Sequence, residues 1–341
     1  MNKVRNLYII AISFGKMSIN RIPHFTKIIA DSDFDGLCGA AILKKYNPSA
    51  EVIFSHAALI RSGSVDELID SETAIVDLPF HEKCGWYLDH HRTNKPSPKQ
   101  LAVFTSNGGV VDWQPTPSAA RLVYEIIKPY CDLSNFLDLM PFVDELDSGG
   151  ITLQQFQDDN ELMRFSRTLS KTEPEYMQMI VEMMVSGCDI NEILATPMVA
   201  EKVAFQYSHR LELTQIVEKN THIIDRLAIC HLEDTGFFTN GYLVTATVGD
   251  DADACCIIHG YSDGSIDSPD RPPLSASFYA NSFHEHGQGR YDLSRLATAF
   301  DPNGGGHVNA CGCRIQDPGL EHNLGQWLGM WQRRDIELRV D

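Results

Sequence analysis

The chain has 341 residues and a mass of 38.2 kDa, is 43% hydrophobic and 22% charged, and is long enough for about two domains at the usual ~100–200 residues each. This ordinary composition excludes disordered and fibrous classes, and no stretch approaches the ~20 apolar residues of a membrane span. The net charge is −18, but residues 1–30 hold five bases and no acid, so the rest stands five lower, at −23; a body this acidic repels long phosphate chains.

Residues 1–26 read as a leader, with basic Met1–Arg5 followed by apolar Leu7–Phe14. That apolar run is short and has no small-residue cleavage site, so a secretory signal is not expected. Lys27–Ala30 reads as a strand that runs into Asp31-Ser-Asp-Phe-Asp-Gly36, and Leu37–Tyr46 as a helix stopped by Asn47-Pro48. Glu51–Ser55, Thr73–Val76 and Trp86–Leu88 read as further strands, the last two ending on Asp77 and Asp89. Strands alternating with helices predict a parallel sheet, whose ligands bind beyond the carboxyl ends of the strands.

Spaced apolar positions predict helices over 117–127, 133–146, 152–169, 174–185 and 197–219, separated by Pro or Gly breaks. The methionines of Tyr176–Met184 are expected to pack a core. From about Thr221 the composition turns to β-branched runs at Ile223–Ile229, Tyr242–Val248 and Leu274–Ala280. The expected architecture is α/β: a parallel-sheet domain with a helical extension over 27–196, a helical connector over 197–221, and a smaller α/β unit over 222–341. The nine cysteines are odd in number, with no CxxC pair, and Cys255–Cys256 and Cys311-Gly-Cys313 are too close for ordinary bridges. That usage predicts a reduced, cytoplasmic protein.

Four acidic or imidazole motifs carry the chemistry. Asp31, Asp33 and Asp35 alternate before Gly36, which alone fits a solvated helix N-terminus. A calcium loop of the EF-hand kind would need Glu where Ile42 stands. Asp77 alone fits a turn, Asp89-His90-His91 an exposed loop, and Asp144 with Asp147 a solvated helix end. Gathered in one crevice, however, these groups repel one another unless divalent cations lie between them. Hard oxygen donors with imidazole suit Mn²⁺, with Mg²⁺ or Co²⁺ as alternatives, and two such ions clamp and neutralise a phosphate under attack.

In this order, Asp31-x-Asp33-x-Asp35-Gly36, Asp77, Asp89-His90-His91 and Asp144 resemble the motifs of the DHH phosphoesterase superfamily, the first motif in its RecJ-type form. Gly304-Gly-Gly-His307-x-Asn-Ala310-Cys-Gly312 is similar to the GGGHxxAAG signature of the DHH-associated substrate domain. The resemblance covers 27–150 and about 222–316, and extends to nano-RNase, phosphoadenosine-phosphatase and exopolyphosphatase-like members. It implies that Asp31, Asp33 and Asp35 bind two Mn²⁺ ions, that Asp77 bridges them, and that His90 and Asp144 complete the second site, with Asp147 as the alternative to Asp144. It further implies catalytic roles for Asp89 and His91, the latter as a hydrogen-bond donor to the scissile phosphate. Arg92, Gly304, Gly305, Gly306, His307 and Asn309 are the implied substrate contacts.

The implied activity is hydrolysis of a phosphoester or phosphoanhydride bond in a small substrate: a short oligonucleotide, adenosine bisphosphate, a cyclic dinucleotide or polyphosphate. A single-strand exonuclease and a non-catalytic nucleotide sensor are the alternatives. No membrane partner and no coating of long nucleic acid are expected, and a homodimer is compatible with the sequence. One departure stands out. The Arg that such members carry in the strand before the GGGH loop is replaced around Phe278 or Tyr279, leaving Arg290, Arg295 or Arg314 as candidate substitutes.

Overall fold

The computed structural model describes residues 22–170, 172–266, 268, 270–284 and 289–340, so most of the expected leader lies outside the described residues. The first sheet is built from β1 (Lys27–Asp31), β2 (Glu51–Ser55), β3 (Thr73–Val76), β4 (Trp86–Asp89) and β5 (Val110–Trp113). They lie in the order β2-β1-β3-β4-β5, all parallel. Strand residues alternate between two buried layers. Ile28, Ala30, Val76 and Leu88 face the helices Phe34–Tyr46 and Ala119–Ile127, while Ile29, Ile75 and Tyr87 pack with Phe104 on the other side. Phe25, inside the expected leader, is buried against Trp86, with ring centroids 5.7 Å apart.

The register brings the acids together. Ala30 is level with Val76, and Val76 with Leu88, so Asp31, Asp77 and Asp89 all emerge at one carboxyl edge of the sheet. The helix Phe34–Tyr46 starts directly above that edge, and Gly36 permits it: a Cβ there would lie 2.3 Å from the Asp31 carbonyl oxygen.

Beyond the sheet the predicted helices are present, but two are divided. Over 133–146 the chain forms a 3₁₀ turn, Ser134–Phe136, and then the helix Met140–Asp147. Over 152–169 it forms Leu153–Asp158 and Glu161–Ser166, broken at Asp159, which adopts φ +45°, and restarted by the Asn160 side chain capping Met163 N–H. The connector is a continuous helix, Pro197–Asn220.

The second sheet contains β6 (Thr221–Ile224), β7 (Leu227–His231), β8 (Ala254–His259), β9 (Ser275–Ala280), β10 (Gly305–Gly306) and β11 (Ala310–Arg314). Its order is β10-β11-β9-β8-β7-β6, antiparallel except for the β7–β8 pair. The run Ile223–Ile229 is a hairpin whose two-residue turn, Asp225-Arg226, has positive φ at both positions (+48° and +67°), the geometry that matches strand twist. Tyr242–Val248, expected as a β-branched run, is instead part of the helix Gly241–Val248. Asn240 caps this helix, and the Thr245 and Thr247 hydroxyls bond back to its carbonyls at 2.7 and 2.8 Å. Burial of Leu243 and Val244 against the sheet overrides their modest helix propensity. The sheet's other face is closed by Trp327 and Trp331 of the helix Leu320–Gln332. All nine cysteines are free thiols. Among the described residues no helix is long and apolar enough to cross a membrane.

Candidate metal centre

His90 organises the site. It follows β4, and its Nδ1 lies 3.0 Å from the Thr116 carbonyl oxygen. A carbonyl only accepts, so Nδ1 carries the proton and Nε2 is left with its lone pair. Three carboxylates surround that lone pair: Asp147 Oδ2 at 3.3 Å, and Asp35 Oδ2 and Asp77 Oδ1 each at 3.5 Å. Nε2 of His90, Oδ1 of Asp77 and Oδ2 of Asp147 are buried and make no hydrogen bond. Burial holds His90 below its usual pKa, so the imidazole is neutral. A neutral imidazole whose far N–H is fixed on a carbonyl, facing unpartnered carboxylates, is a donor set that could hold a divalent metal ion, and Asp35, His90 and Asp147 converge closely enough to share one.

Each acid is positioned locally. Asp35 is clamped by two backbone amides at the start of the helix Ala119–Ile127, accepting from Ala119 and Ala120 N–H at 2.6 Å each. Asp33 caps its own helix through Gly36 N–H at 2.9 Å, and Asp31 accepts from Ser32 N–H at 2.6 Å. Asp77 adopts φ +58°, a left-handed conformation uncommon outside glycine, and donates its N–H to Leu88 O at 3.1 Å. Burial first, and mutual repulsion second, raise Asp31, Asp33, Asp35 and Asp77 above the usual carboxylate range.

Asp147, not Asp144, reaches the cluster. Asp144 points to the base of the same scaffold, where Arg121 grips it at 2.6 and 2.9 Å and the Ser118 hydroxyl donates to it at 2.7 Å. Ser118 is also the cap of the helix that clamps Asp35, so Asp144 braces the support of a cluster residue. Three residues further on, nearly one helical turn, Asp147 faces the crevice instead.

His91 and Asp89 form a pair. Asp89 is fully buried, accepting from His91 Nδ1 at 2.9 Å and from the Tyr87 hydroxyl at 2.7 Å. Burial opposes a charged His91, but the Asp89 carboxylate outweighs it and pushes the imidazole up to about 9. Asp89 is absent from the cavity lining and is engaged by His91 and Tyr87. From the second unit His307 stacks on His91, with ring centroids 4.0 Å apart, and its Nε2 lies 3.6 Å from Asp147.

The two units enclose a cavity of about 770 Å³ between them. Arg92, Gly305, Gly306, His307 and Asn309 line it; Gly304 does not. Gly304 instead packs beneath the loop, where a Cβ would lie 2.2 Å from Ala297 O. Thr93 latches the units, its hydroxyl donating to Gly306 O at 3.0 Å and accepting from Gly306 N–H at 2.9 Å. A Cβ on Gly305 would press on Arg61 Nη2 at 2.8 Å and Thr93 Oγ1 at 3.0 Å. Tyr279 lines the cavity where an Arg was missed, while Arg290 and Arg314 do not, and Arg295 borders a separate pocket with Arg92. The cavity arginines that sequence reasoning missed are Arg61 and Arg167. Arg61 lies just past the carboxyl end of β2, where the parallel-sheet rule would have directed a search; Arg167 carries no comparable sequence signal.

The raised carboxylates predict how stability responds to metal. Stripped of metal, Asp31, Asp33, Asp35 and Asp77 hold protons in the native state that the unfolded chain releases, so their contribution to stability is fully present below the ordinary carboxylate pKa of about 4 and is lost as pH rises through the raised native values. Mn²⁺ replaces those protons. At a fixed concentration about 100 times its Kd at pH 8, it should raise the melting temperature by roughly 3–6 °C at pH 8 and by less at pH 5, where protons compete for the same carboxylates. Calorimetric melts with EDTA and with Mn²⁺ at the two pH values check this; a Mn²⁺ shift that is absent, or larger at pH 5, would count against the site.

The sequence matches no protein-family model and no curated protein. Similar solved structures include a pGpG-specific phosphodiesterase from Vibrio cholerae, with TM-score 0.58 and 21% identity over 91% of this chain and 99% of that one. An exopolyphosphatase-related protein from Bacteroides fragilis gives TM-score 0.52 and 17% identity over 91% and 93%. RecJ from Thermus thermophilus, in complex with Mn²⁺, gives TM-score 0.54 and 9% identity over 90% of this chain and 52% of that one. At these identities the likeness is one of fold.

Proposed function

We propose that the chain is a divalent-metal phosphoesterase of the DHH superfamily that hydrolyses a phosphoester or phosphoanhydride bond in a small substrate. The observation that carries this reading is the buried His90 Nε2 lone pair, without a hydrogen-bond partner and ringed by Asp35, Asp77 and Asp147 at 3.3–3.5 Å. Asp31, Asp33, Asp35, Asp77, His90 and Asp147 would hold two Mn²⁺ ions, Mg²⁺ or Co²⁺ being alternatives for the same donors. Such ions supply a water of lowered pKa and neutralise the charge of the attacked phosphate.

The chain's own residues orient the substrate. His91 Nδ1 is engaged by Asp89, which reserves Nε2 to donate to a phosphate oxygen, and Asp89 is a positioning residue because Tyr87 and His91 occupy its oxygens. His307 closes over His91 from the second unit, and the Gly305–Gly306 backbone offers close approach to a phosphate. A cavity of about 770 Å³ suits a substrate of dinucleotide size, in keeping with the fold shared with a pGpG-specific phosphodiesterase.

The test is Mn²⁺-dependent turnover across a ladder of oligonucleotides from two to twenty nucleotides, with adenosine bisphosphate, a cyclic dinucleotide and polyphosphate alongside. Because the chain after residue 30 carries −23, kcat/KM should peak at two to four nucleotides and decline with length, and salt should soften the decline by screening the repulsion. Absence of turnover on the whole panel would sink the hydrolase reading in favour of a nucleotide sensor. Efficiency rising with length, with processive degradation, would replace the small substrate with an exonuclease's.

A further inference from the structure

The cavity has a second charged wall. Asp159, buried at the break between the helices Leu153–Asp158 and Glu161–Ser166, gathers three guanidinium groups. Its Oδ1 accepts from Arg167 Nη2 at 2.6 Å and lies 2.7 Å from Arg210 Nη1, while Arg164 Nε is 3.6 Å from Oδ2 and donates to the Asp159 carbonyl at 2.8 Å. One carboxylate therefore serves three cations. Two of them have other support: Arg210 lies 4.2 Å from the centroid of the Phe156 ring and donates to Phe156 O at 2.9 Å, and Arg164 lies 5.6 Å from that of Tyr207.

Arg167 is different. Of the three it alone lines the cavity, together with Ser166, Asn240 and Tyr242, and its Nε is buried without a partner. The segment is tied to the acid motif, because Phe165 packs edge-on against Phe34, the residue between Asp33 and Asp35, at 5.4 Å. A partly buried guanidinium whose Nε is itself buried and unmet, in a cluster carrying more positive than negative charge, is costly unless an anion completes it. Its planar fork matches two oxygens of a phosphate.

We infer that Arg167 binds a second anionic group of the substrate, a phosphate distinct from the one held at the histidine and aspartate cluster, and thereby sets substrate choice. This rests on the phosphoesterase reading for the identity of the ligand, but not for its test. Binding is measured by titration calorimetry on the Mn²⁺-loaded His91→Ala variant, in which turnover is not to consume the titrant. The two probes are a dinucleotide with a 5′-phosphate and the same dinucleotide with a 5′-hydroxyl.

The phosphorylated probe should bind more tightly, and adding Arg167→Gln should cost it about 10- to 100-fold in Kd while changing the hydroxyl probe little. Arg167→Lys should recover part of the preference. Arg210→Gln also removes a guanidinium from Asp159 but does not line the cavity, and it should leave the ratio of the two affinities unchanged; thermal melts of each variant report any loss of fold. Equal weakening of both probes by Arg167→Gln, no preference to begin with, or an equal loss of preference in Arg210→Gln would overturn the assignment. Turnover by the wild-type protein, measured separately, decides the hydrolase reading on its own.

Discussion

Asp77→Asn is expected to abolish Mn²⁺-dependent hydrolysis while leaving a folded protein. Asp77 Oδ1 lies 3.5 Å from His90 Nε2 and 3.4 Å from His91 Nδ1, and it is buried without a hydrogen-bond partner. An amide at this position fills the same volume and tolerates the left-handed φ of +58° better than most side chains, so the change removes charge and little else. Stabilisation of transition-state charge by a bound metal is worth several kcal/mol. At about 1.36 kcal/mol per decade, its loss should lower kcat by roughly 10³-fold or more. Without metal the variant should be at least as stable as the wild type, because burial and the neighbouring carboxylates hold Asp77 well above the usual range and its charge is a liability there. Elemental analysis, steady-state rates and thermal melts read the three effects. Near-normal turnover with Mn²⁺ would remove Asp77 from the centre.

The second large effect separates two acids three residues apart. Asp147→Asn should lose bound metal and, with it, roughly 10²-fold or more of the activity, since the Asp147 carboxylate lies 3.3 Å from His90 Nε2. Asp144→Asn should keep its metal but destabilise the fold by about 1–3 kcal/mol, because it breaks an Arg121 pair and leaves partly buried donors poorly matched. Any activity lost in Asp144→Asn should follow from a looser Ser118–Ala120 segment, the clamp on Asp35. The reverse pattern, metal lost from Asp144→Asn and retained by Asp147→Asn, would restore Asp144 as the ligand.

The arrangement also indicates how two units of one acidic chain would hold the anion proposed above. The first sheet supplies the acids and two imidazoles at its carboxyl edge, and the second sheet brings His307 and the glycine loop over them. The Thr93–Gly306 bonds and the pairing of Arg61 Nη1 with Asn303 O fix that approach. The chain's net charge opposes long polyanions, while among the described residues of the cavity wall Arg61, Arg92, Arg167 and His91 supply positive charge for the small anion proposed.

Much of this was legible in the amino-acid order because it depends on local rules. Short β-branched runs ending in Asp mark strands whose ends face a crevice, and Thr73–Val76 and Glu51–Ser55 are strands over the predicted residues. Parallel pairing then aligns Asp31, Asp77 and Asp89 without further information, since strands of like direction share one carboxyl edge. Other features required the tertiary structure. Tyr242–Val248 is helical because the buried face of the second sheet receives Leu243 and Val244 there, a packing demand that outweighs β-branched propensity. Sequence places Asp144 and Asp147 equally well at a helix end; the direction in which each points depends on the helix's rotation against Arg121 and Ser118. Arg167 lies over a hundred residues from the cavity's glycine loop and lines the same cavity only because the two units pack together. Local order decides which residues carry charge at the ends of elements. Long-range packing decides which of those charges share a space.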